Sequence, residues 1–388
     1  MKLKTDRPAL LEAAKTAARI APTNHAADIL KGVLLEADEA TGELWLTATN
    51  RESTVRIRAD ANIAEGGSAV VNARMFAGML SLMKSAAISL QGDTGTTTIN
   101  GDRCTYRINH QPASQFPNTG VPENETAGKL TGVCTLARKT TYTVEDHSDS
   151  PVMQCVQLVM EGNRVQAAGM NNARITVTKG SASSEGKQEI VVPARALRKL
   201  AEMSSDADVY DVGHDDSRVW FIREGFEFTV NKNTTDKFFD TEAFLGRIAP
   251  KHAAIVEAAK MKEALDLASV AAAAGNKKKA VTVTLADGKI LLDCRNDSGE
   301  ADIGVDAQVS APQEEGFDYN AEWLAQTFAT ITGSAKILVD ERGTMVVKSP
   351  PAKPENIYLQ MPTRKNGKSN ADGGEAGRGD TAAAEAAA

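Results

Sequence analysis

The alternation of apolar and polar positions repeats three times along the chain. Each copy opens with an Ala- and Leu-rich helical pattern, continues through strand-like alternation, returns to a helix behind a strand-like lead-in, and ends in a hairpin pattern. The helical patterns come first at Ala9–Ala21, Cys134–Val144 and Ala258–Ala273, and again at Ala69–Leu82, Glu189–Met203 and Phe317–Thr332. The alternating regions are Ile29–Arg58, Val152–Thr178 and Ala280–Val305, and the hairpin patterns are Ala87–Ile108, Asp208–Val230 and Ala335–Gln360.

The length of the repeat predicts three domains. A unit of about 120 residues is too long for a solenoid repeat and long enough to bury a core of its own. We therefore predict an α+β fold of three similar domains. Pro and Gly interrupt the pattern in Gln111–Lys129 and near Thr241–Lys251, which marks two boundaries. The expected domains are 1–125, 126–250 and 251–364. Residues 365–388 contain no apolar side chain larger than Ala, which predicts a disordered polar tail.

Composition is typical of a globular protein of the cytoplasm. The chain has 388 residues, of which 42% are hydrophobic and 5% aromatic. No apolar run reaches the length of a membrane span, and the first residues lack the pattern of a signal peptide. The four cysteines (Cys104, Cys134, Cys155 and Cys294) are far apart and form no Cys-x-x-Cys pair. This spacing argues against a zinc site or a disulfide framework.

No set of residues in the sequence predicts catalysis. The five histidines have no metal-ligand spacing, and no phosphate loop, dinucleotide fingerprint or nucleophile elbow is present. The acidic pairs Asp215-Asp216 and Glu314-Glu315 lie in predicted turns, where solvated carboxylates are expected. Cys155 falls in an apolar strand pattern and is expected to be an inert buried thiol. We therefore expect a non-catalytic protein without cofactor or metal, and a binding or scaffolding role.

Basic residues recur on the predicted helices although the net charge is −7. That charge argues against a protein whose whole surface covers nucleic acid, but it allows binding along one lined face. For any single helix, a solvated face is the simpler explanation of its basic residues. Their recurrence favours a shared role in DNA binding, and the sixth helix, Trp323–Thr332, departs from it by having no Lys or Arg. The candidate DNA-binding residues are Lys15, Arg19, Arg74, Arg138, Lys139, Arg195, Arg198, Lys199 and Lys260.

Several short segments, in this order on a threefold repeat, resemble one family. They are Leu46-Thr47-Ala48-Thr49-Asn50, Val71-Asn72-Ala73-Arg74-Met75-Phe76, Gln115-Phe116-Pro117-Asn118, Val192-Pro193-Ala194-Arg195 and Tyr358-Leu359-Gln360-Met361-Pro362-Thr363-Arg364. The chain thus resembles the β subunit of bacterial DNA polymerase III, the sliding clamp, over residues 1–364. The resemblance implies a head-to-tail homodimer: a six-domain ring with sheets outside and helices lining a hole for double-stranded DNA. It also implies sequence-independent DNA contacts.

The resemblance further implies protein partners. Clamps of this family tether the replicative polymerase, here the DNA polymerase III α subunit, and are opened by an ATP-driven clamp loader. Other proteins with a clamp-binding motif use the same pocket, between the middle and C-terminal domains. Carried over by position, that pocket consists of Met153, Met170, Arg174, Ile175, Ile248, Thr344, Met361, Pro362, Thr363 and Arg364. The alternative, that the apolar members are ordinary core residues, does not account for Arg174 and Arg364.

The sequence departs from the family at three places. The family's Thr-Asp-Gly-His-Arg-Leu segment is here Met170-Asn171-Asn172-Ala173-Arg174-Ile175, and Ala243 stands where the family usually has a proline. Because of these two changes, the resemblance does not determine which peptide motif the pocket prefers. The polar tail after Arg364 either covers the pocket or has no effect on it. At the dimer interface the strand side offers Tyr106 and Ile108, whereas the helix side, Ala271–Ala274, offers only small residues.

The small residues Ala272 and Ala273 at this interface lead us to expect a ring that opens easily. They also keep a second hypothesis open, a clamp-fold interaction scaffold that does not encircle DNA. A third, an enzyme of unknown class, lacks any candidate catalytic set.

Overall fold

The computed structural model describes residues 1–120, 126–273, 279–296 and 299–363. Over these ranges the chain forms an α+β fold whose described strand pairings are antiparallel. The helices are α1 Arg7–Ile20, α2 Ala73–Leu82, α3 Val133–Thr140, α4 Ala194–Glu202, α5 Thr241–Gly246, α6 Ala258–Ala273 and α7 Ala321–Ala329. The tail predicted at 365–388 lies outside the described residues, as does the pocket residue Arg364.

The strands follow the three copies of the pattern. The first copy holds β1 Lys2–Asp6, β2 Gly32–Asp38, β3 Glu43–Thr49, β4 Ser53–Glu65, β5 Gly67–Asn72, β6 Ala87–Asp93, β7 Thr96–Asn100 and β8 Thr105–Asn109. The second holds β9 Gly128–Leu130, β10 Cys155–Met170, β11 Arg174–Pro193, β12 Tyr210–His214, β13 Arg218–Arg223 and β14 Phe226–Asn231. The third holds β15 His252–Glu257, β16 Ala280–Ala286, β17 Lys289–Asn296, β18 Gly299–Ala311, β19 Phe317–Asn320, β20 Ser334–Val339, β21 Met345–Ser349 and β22 Asn356–Gln360.

The chain divides into two compact units. The first consists of Met1–Ala137, Asp149–Gln166 and Gly180–Lys237, and the second of Arg138–Ser148, Ala167–Lys179 and Phe238–Ala388. Each unit therefore combines residues from more than one copy of the repeat. The division into three domains stays a prediction.

Side chains at the helix starts fix where several helices begin. Asp6 accepts a hydrogen bond from the Ala9 amide (3.2 Å) at the start of α1, with Pro8 in its first turn. Asn72 caps α2 by accepting from the Met75 amide (2.9 Å), and Asn320 caps α7 by accepting from the Trp323 amide at 3.0 Å. These caps satisfy amides that have no partner within the helix.

The helices pack their apolar faces on the sheets. In the second unit, Met261 and Leu265 of α6 and Leu324 and Phe328 of α7 lie in one buried cluster with Tyr319 and strand residues of the third copy. The opposite faces of these helices are left exposed, which is where binding residues were predicted.

The sequence analysis predicted the described helices except α5 and differs from the structure at the element ends. α3 ends at Thr140 and continues as a 3₁₀ turn over Thr141–Thr143, where a helix to Val144 was expected. β4 and β11 extend to Glu65 and Pro193, beyond the predicted strands, because their later halves pair with neighbours distant in the sequence, such as β1 and β9. The boundary segment near Thr241–Lys251 contains α5, which Asp240 caps.

Candidate DNA-facing, subunit and peptide surfaces

Four of the predicted DNA-binding cations already pair with exposed acidic side chains. The nitrogen–oxygen distances are Lys15–Glu12 3.0 Å, Arg195–Glu52 3.8 Å, Lys199–Glu202 2.9 Å and Lys260–Glu257 3.7 Å. Such exposed pairs contribute little to stability and exchange readily with another anion. These pairs therefore do not prevent the four side chains from meeting phosphates.

The remaining cations occupy three kinds of environment. Arg74 on α2 and Arg138 on α3 are exposed, and no ion pair to either is found among the described residues. Arg19 donates to the Glu202 carbonyl oxygen, and Lys139 is half-buried, with its Nζ 3.0 Å from Asn356 Oδ1. Arg198 is half-buried on α4. Arg74 and Arg138 are thus the most available for an external phosphate.

In the first unit, two copies of the repeat meet at a junction of strands and helices. Residues Ser53–Ile57 of β4 pair antiparallel with Phe226–Val230 of β14. Arg56 and Glu227 lie opposite each other on these strands and form an ion pair of 3.1 Å. The Arg19–Glu202 hydrogen bond links α1 to α4 beside them. Strand β4 and the first helix of one copy therefore meet the last strand and the second helix of the next.

The second unit repeats the same junction. Residues Arg174–Thr178 of β11 pair antiparallel with Asn356–Gln360 of β22. The Tyr142 hydroxyl, just after α3, lies 3.1 Å from Thr327 Oγ1 of α7. The turns before β4 and β11 also match, because Asn50 and Asn171 each accept a hydrogen bond from the amide three residues on. The junction is therefore a recurring unit of the fold.

The parts of a third such junction are present but unpaired among the described residues. β8 pairs with β7 along one edge, and residues 299–303 of β18 pair with β17 along one edge; neither has a described neighbour on the other side. The helices of this junction would be α2 and α6. They carry exposed apolar side chains: Met75 (51% exposed) and Leu82 (76%) on α2, and Leu267 (59%) and Val270 (75%) on α6.

The predicted interface residues lie on two of these elements, Tyr106 and Ile108 on β8 and Ala272 and Ala273 on α6. Tyr106 is partly exposed on β8, whereas Ile108 and Ala272 are buried in their own part of the chain. The side chain of Ala273 lies outside the described part of the chain. The sequence analysis missed Leu267 and Val270, although their spacing of three residues on a helix was a usable signal.

The predicted peptide pocket separates into a buried and an exposed set. Met170, Arg174, Ile175 and Thr344 are buried. Ile248, Pro362, Thr363 and, in the first unit, Met153 are half-buried, while Met361 is 37% exposed. Backbone bonds hold the last described residues in place: the Met361 amide donates to the Ala173 carbonyl (2.8 Å) and the Thr363 amide to the Asp318 carbonyl at 2.7 Å. Arg174 and Met361 therefore lie at the same end of the β11–β22 strand pair.

Arg174 lies in a cage of aromatic and polar side chains. Its guanidinium carbon is 4.4 Å from the ring centroid of Trp323 and 5.7 Å from that of Tyr142. Nη1 donates to Gln326 Oε1 (2.8 Å) and Nη2 to the Tyr142 carbonyl oxygen at 3.1 Å. Burial lowers the pKa of Arg174 and raises the pKa of Tyr142. Trp323, Tyr142 and Gln326 have no motif that would have identified them from the sequence.

The structure bears on two of the chemical sites considered in the sequence, a metal cluster and the Cys155 thiol. No cluster of three or more His, Cys, Asp or Glu side chains with metal-binding geometry is found among the described residues. Burial raises the pKa of the Cys155 thiol to about 12, and its Sγ lies 2.9 Å from Asn233 Oδ1. The helices of the described ranges include none with the length and apolar character needed to cross a membrane.

Comparison with known proteins identifies relatives of this fold. The family profile for the DNA polymerase III beta subunit, N-terminal domain, matches residues 1–120. The beta sliding clamp of Streptomyces coelicolor is 24% identical over 319 residues, which cover 80% of this chain and 83% of that protein. The beta sliding clamp of Synechococcus elongatus is 22% identical, over 93% of this chain and 99% of the relative.

Solved structures agree with this likeness at the level of the fold. The DNA polymerase sliding clamp of Bacillus subtilis superposes with a TM-score of 0.85 at 16% identity, over 94% of this chain and 99% of that one. A sliding clamp of Pseudomonas aeruginosa bound to griselimycin superposes with a TM-score of 0.83 at 19% identity, over the same fractions. Residues 1–120 thus match the N-terminal domain of the DNA polymerase III beta subunit family, and the fold of the chain is that of the β sliding clamps.

Proposed function

We propose that this chain is a DNA sliding clamp: two copies close head to tail into a ring around duplex DNA and hold the replicative polymerase on its template. The relatives that match most of the chain are sliding clamps, and the fold superposes on theirs. The role assigned here is that of a processivity factor acting in the cytoplasm, where the DNA is replicated.

The unpaired third junction is the observation that carries the proposal. Two junctions of the same design are completed within the chain, in the first and second units. The third has its two halves at β8 with α2 and at β18 with α6, and each half is open among the described residues. A second copy supplies the missing half at both ends. Because each contact joins unlike surfaces, the arrangement is head to tail, and the rotation closes after two copies.

The internal junctions also give a register for the strands of the third. Gly299 takes the place of Ser53 and Arg174. In the β7–β8 hairpin the Gly101 amide donates to the Cys104 carbonyl (2.9 Å), so this pair corresponds to Arg223–Phe226 in the β13–β14 hairpin and Arg107 corresponds to Thr229. Since Thr229 lies opposite Thr54, Arg107 lies opposite Glu300 of the second copy. Opposite charges at facing positions stabilise antiparallel strands.

The exposed helix residues add apolar contacts to this interface. Leu267 and Val270 of α6 pack against Met75 and Leu82 of α2 from the second copy, which removes large apolar side chains from water. The expectation of a ring that opens easily was based on the small side chains of Ala271–Ala274. With Leu267 and Val270 also in the interface, those small side chains no longer argue for a weak contact.

The basic helix residues provide the DNA-facing surface. Arg74 and Arg138 are the exposed cations without a described ion pair, and the four paired cations can exchange their surface carboxylates for phosphates. Such contacts are independent of base sequence and weaken with salt. Retention on DNA then depends on ring closure, so individually weak contacts are compatible with sliding.

The peptide pocket is the surface proposed for partners. Its exposed Met361 and half-buried Ile248 offer an adaptable apolar rim for a short segment of the polymerase α subunit, the clamp loader or another partner. The Pseudomonas aeruginosa clamp bound to griselimycin is an instance of a ligand held by a clamp of this fold.

Retention on circular DNA tests the proposal. The full chain, loaded on nicked circular duplex by a cognate loader, is expected to stay bound through gel filtration at high salt and to be lost when a restriction enzyme linearises the circle. Equal loss from both forms would contradict encirclement.

The same experiment separates the second candidate, a clamp-fold scaffold that does not encircle DNA. The absence of Lys and Arg from α7 and the ion pairing of four candidate cations favour that alternative. A scaffold would bind partner peptides and show no difference between circular and linear DNA.

A further inference from the structure

Two aspartates face each other beside the open edge of β18. Asp293 of β17 and Asp302 of β18 are opposite partners in the antiparallel pair. Leu292 lies in the buried cluster of the second unit, so Asp293 is on the other face of the sheet, because successive strand residues alternate between faces. Asp302 is exposed and Asp293 is half-buried. Like charges directly opposite each other destabilise neighbouring strands, so this pair is unfavourable in the chain as it stands.

The β16 side of the pair offers no positive charge. Thr282 lies opposite Asp293 on β16, and its hydroxyl donates to Asp318 Oδ1 of β19 at 2.6 Å. That side therefore contributes a further carboxylate. On the other side, residues 299–303 of β18 have no described strand neighbour beyond β17. The open side is where a counter-charge from a second chain can reach the pair.

The remaining charges of the two strands compensate the pair only in part. Arg295, two residues after Asp293, lies 3.9 Å from Glu300 and is therefore shared with a third carboxylate. Neither Asp293 nor Asp302 forms an ion pair among the described residues. Burial and the adjacent Asp302 carboxyl raise the pKa of Asp293 above its ordinary value of 3.8, and Arg295 offsets that shift in part.

The register proposed for the third junction brings arginines to this pair. With Arg107 opposite Glu300 of the second copy, Thr105 lies opposite Asp302. Arg107 is then a diagonal neighbour of Asp302, and diagonal neighbours on antiparallel strands are within reach of long side chains. Arg103 is exposed in the turn before β8, two residues from Thr105 on the other side. No ion pair of either arginine is found in the described part of the chain.

We propose that ring closure is coupled to ionisation of this carboxyl pair: the separate chain holds a proton between Asp293 and Asp302, and the approach of Arg107 from the second copy expels that proton to solvent. The inference rests on the proposed function, because it takes β8 and β18 to be partners in the ring. It adds a regulatory property to that interface, a Kd of dimerisation that depends on pH.

The direction of the effect follows from the charges. A cation close to the pair favours its fully ionised form, so the pKa of Asp293 is lower in the ring than in the separate chain. Between these two pKa values closure releases a proton, and the Kd of dimerisation falls as the pH rises. Above the higher of the two, both carboxyls are ionised in either state, and the Kd no longer depends on them.

Analytical ultracentrifugation of the full chain at constant ionic strength tests the coupling. The Kd of dimerisation is expected to be about tenfold higher at about pH 5 than at about pH 7. Asp293→Asn removes the titrating group without altering the edge strand itself, and its Kd is expected to change less than about threefold over that range. Asp306→Asn, at an exposed carboxylate of β18 that faces Lys289, is the matched control and should keep the wild-type dependence. The histidines are the same in all three proteins, so their titration cancels in the comparison.

A second measurement needs no variant. The heat of dissociation of the wild-type dimer at about pH 5, in two buffers that differ in ionisation enthalpy, gives the number of protons taken up, and we expect net uptake. Zero uptake, or the same pH dependence in the wild type and in Asp293→Asn, would overturn the inference while the ring stands. A chain that stays single at every pH would overturn both the inference and the ring.

Discussion

At the scale of single residues, the contrast between Arg174 and the helix cations separates two uses of positive charge. Arg174 is buried and stacked on Trp323, and the nearby carboxylates of Glu145 and Glu322 partly offset the cost of burying its charge. Arg74 and Arg138 are exposed and their charge is available to any phosphate that passes. The first arrangement holds a side chain in place and the second favours sliding.

Replacing both exposed helix arginines should weaken DNA association without unfolding the chain. The double variant Arg74→Gln, Arg138→Gln is expected to lower the slope of log affinity against log salt by roughly one per lost phosphate contact. Arg342→Gln, at an exposed arginine in the β20–β21 turn, serves as the control. Unchanged salt dependence in the double variant would argue against a DNA-facing role for α2 and α3.

Cys155 should resist thiol reagents in the folded chain. Burial raises its pKa to about 12 from a reference of 9.0, so the thiolate is scarce at pH 8. We expect slow labelling of Cys155 that accelerates only with unfolding, measured by mass spectrometry. The raised pKa also means that its contribution to stability is complete below about pH 9 and declines as pH rises toward 12. Rapid native labelling of Cys155 would contradict this burial.

At the scale of elements, β8 and β18 each have one described strand neighbour along part of their length, and we propose that a second copy completes their pairing. The two internal junctions supply both the pairing pattern and its register. Exposed strand edges are normally protected, so two open edges on one chain with complementary charges indicate partners for each other. Arg107 on β8 and Glu300 on β18 provide that complementarity.

A charge swap tests the strand register. Arg107→Glu alone and Glu300→Arg alone are each expected to raise the Kd of dimerisation by about tenfold or more, because facing charges become alike. The double variant restores opposite charges at both interfaces and is expected to recover most of the affinity in analytical ultracentrifugation. Additive losses in the double variant would show that these residues do not face each other.

The helix contact is tested with two matched valines. Val270→Ser on α6 should raise the Kd of dimerisation about tenfold, since it removes apolar surface that the second copy covers. Val209→Ser changes a valine that is also exposed but lies outside the junction helices, and it should leave the Kd unchanged. Equal effects of the two substitutions on the Kd would show that α6 is not part of the dimer interface.

At the scale of the whole molecule, the sequence predicted what depends on local periodicity and left open what depends on distant contacts. The repeat, the helices and the hairpins follow from patterns within about 20 residues. The pairing of β4 with β14 and the stacking of Trp323 on Arg174 join residues more than a hundred positions apart, for which one sequence gives no signal. The pocket position of Arg174 was predicted from the family resemblance, whereas its burial against Trp323 and Tyr142 depends on tertiary packing.

The sequence analysis assigned Tyr106, Ile108, Ala272 and Ala273 to the dimer interface that closes the ring. Those assignments stay predictions. Two of these residues are buried within their own part of the chain, and the neighbouring exposed residues carry the proposed contact. Helix periodicity identifies a surface face, but the depth of each side chain depends on the tertiary packing.

The central claim is that two copies complete the third junction at both ends and enclose a hole. Single-particle imaging of the purified full chain, at a concentration above the dimer Kd, tests this most directly. The account predicts a closed annulus of two chains whose hole admits duplex DNA. A compact particle of one chain, or a two-chain particle without a hole, would contradict it.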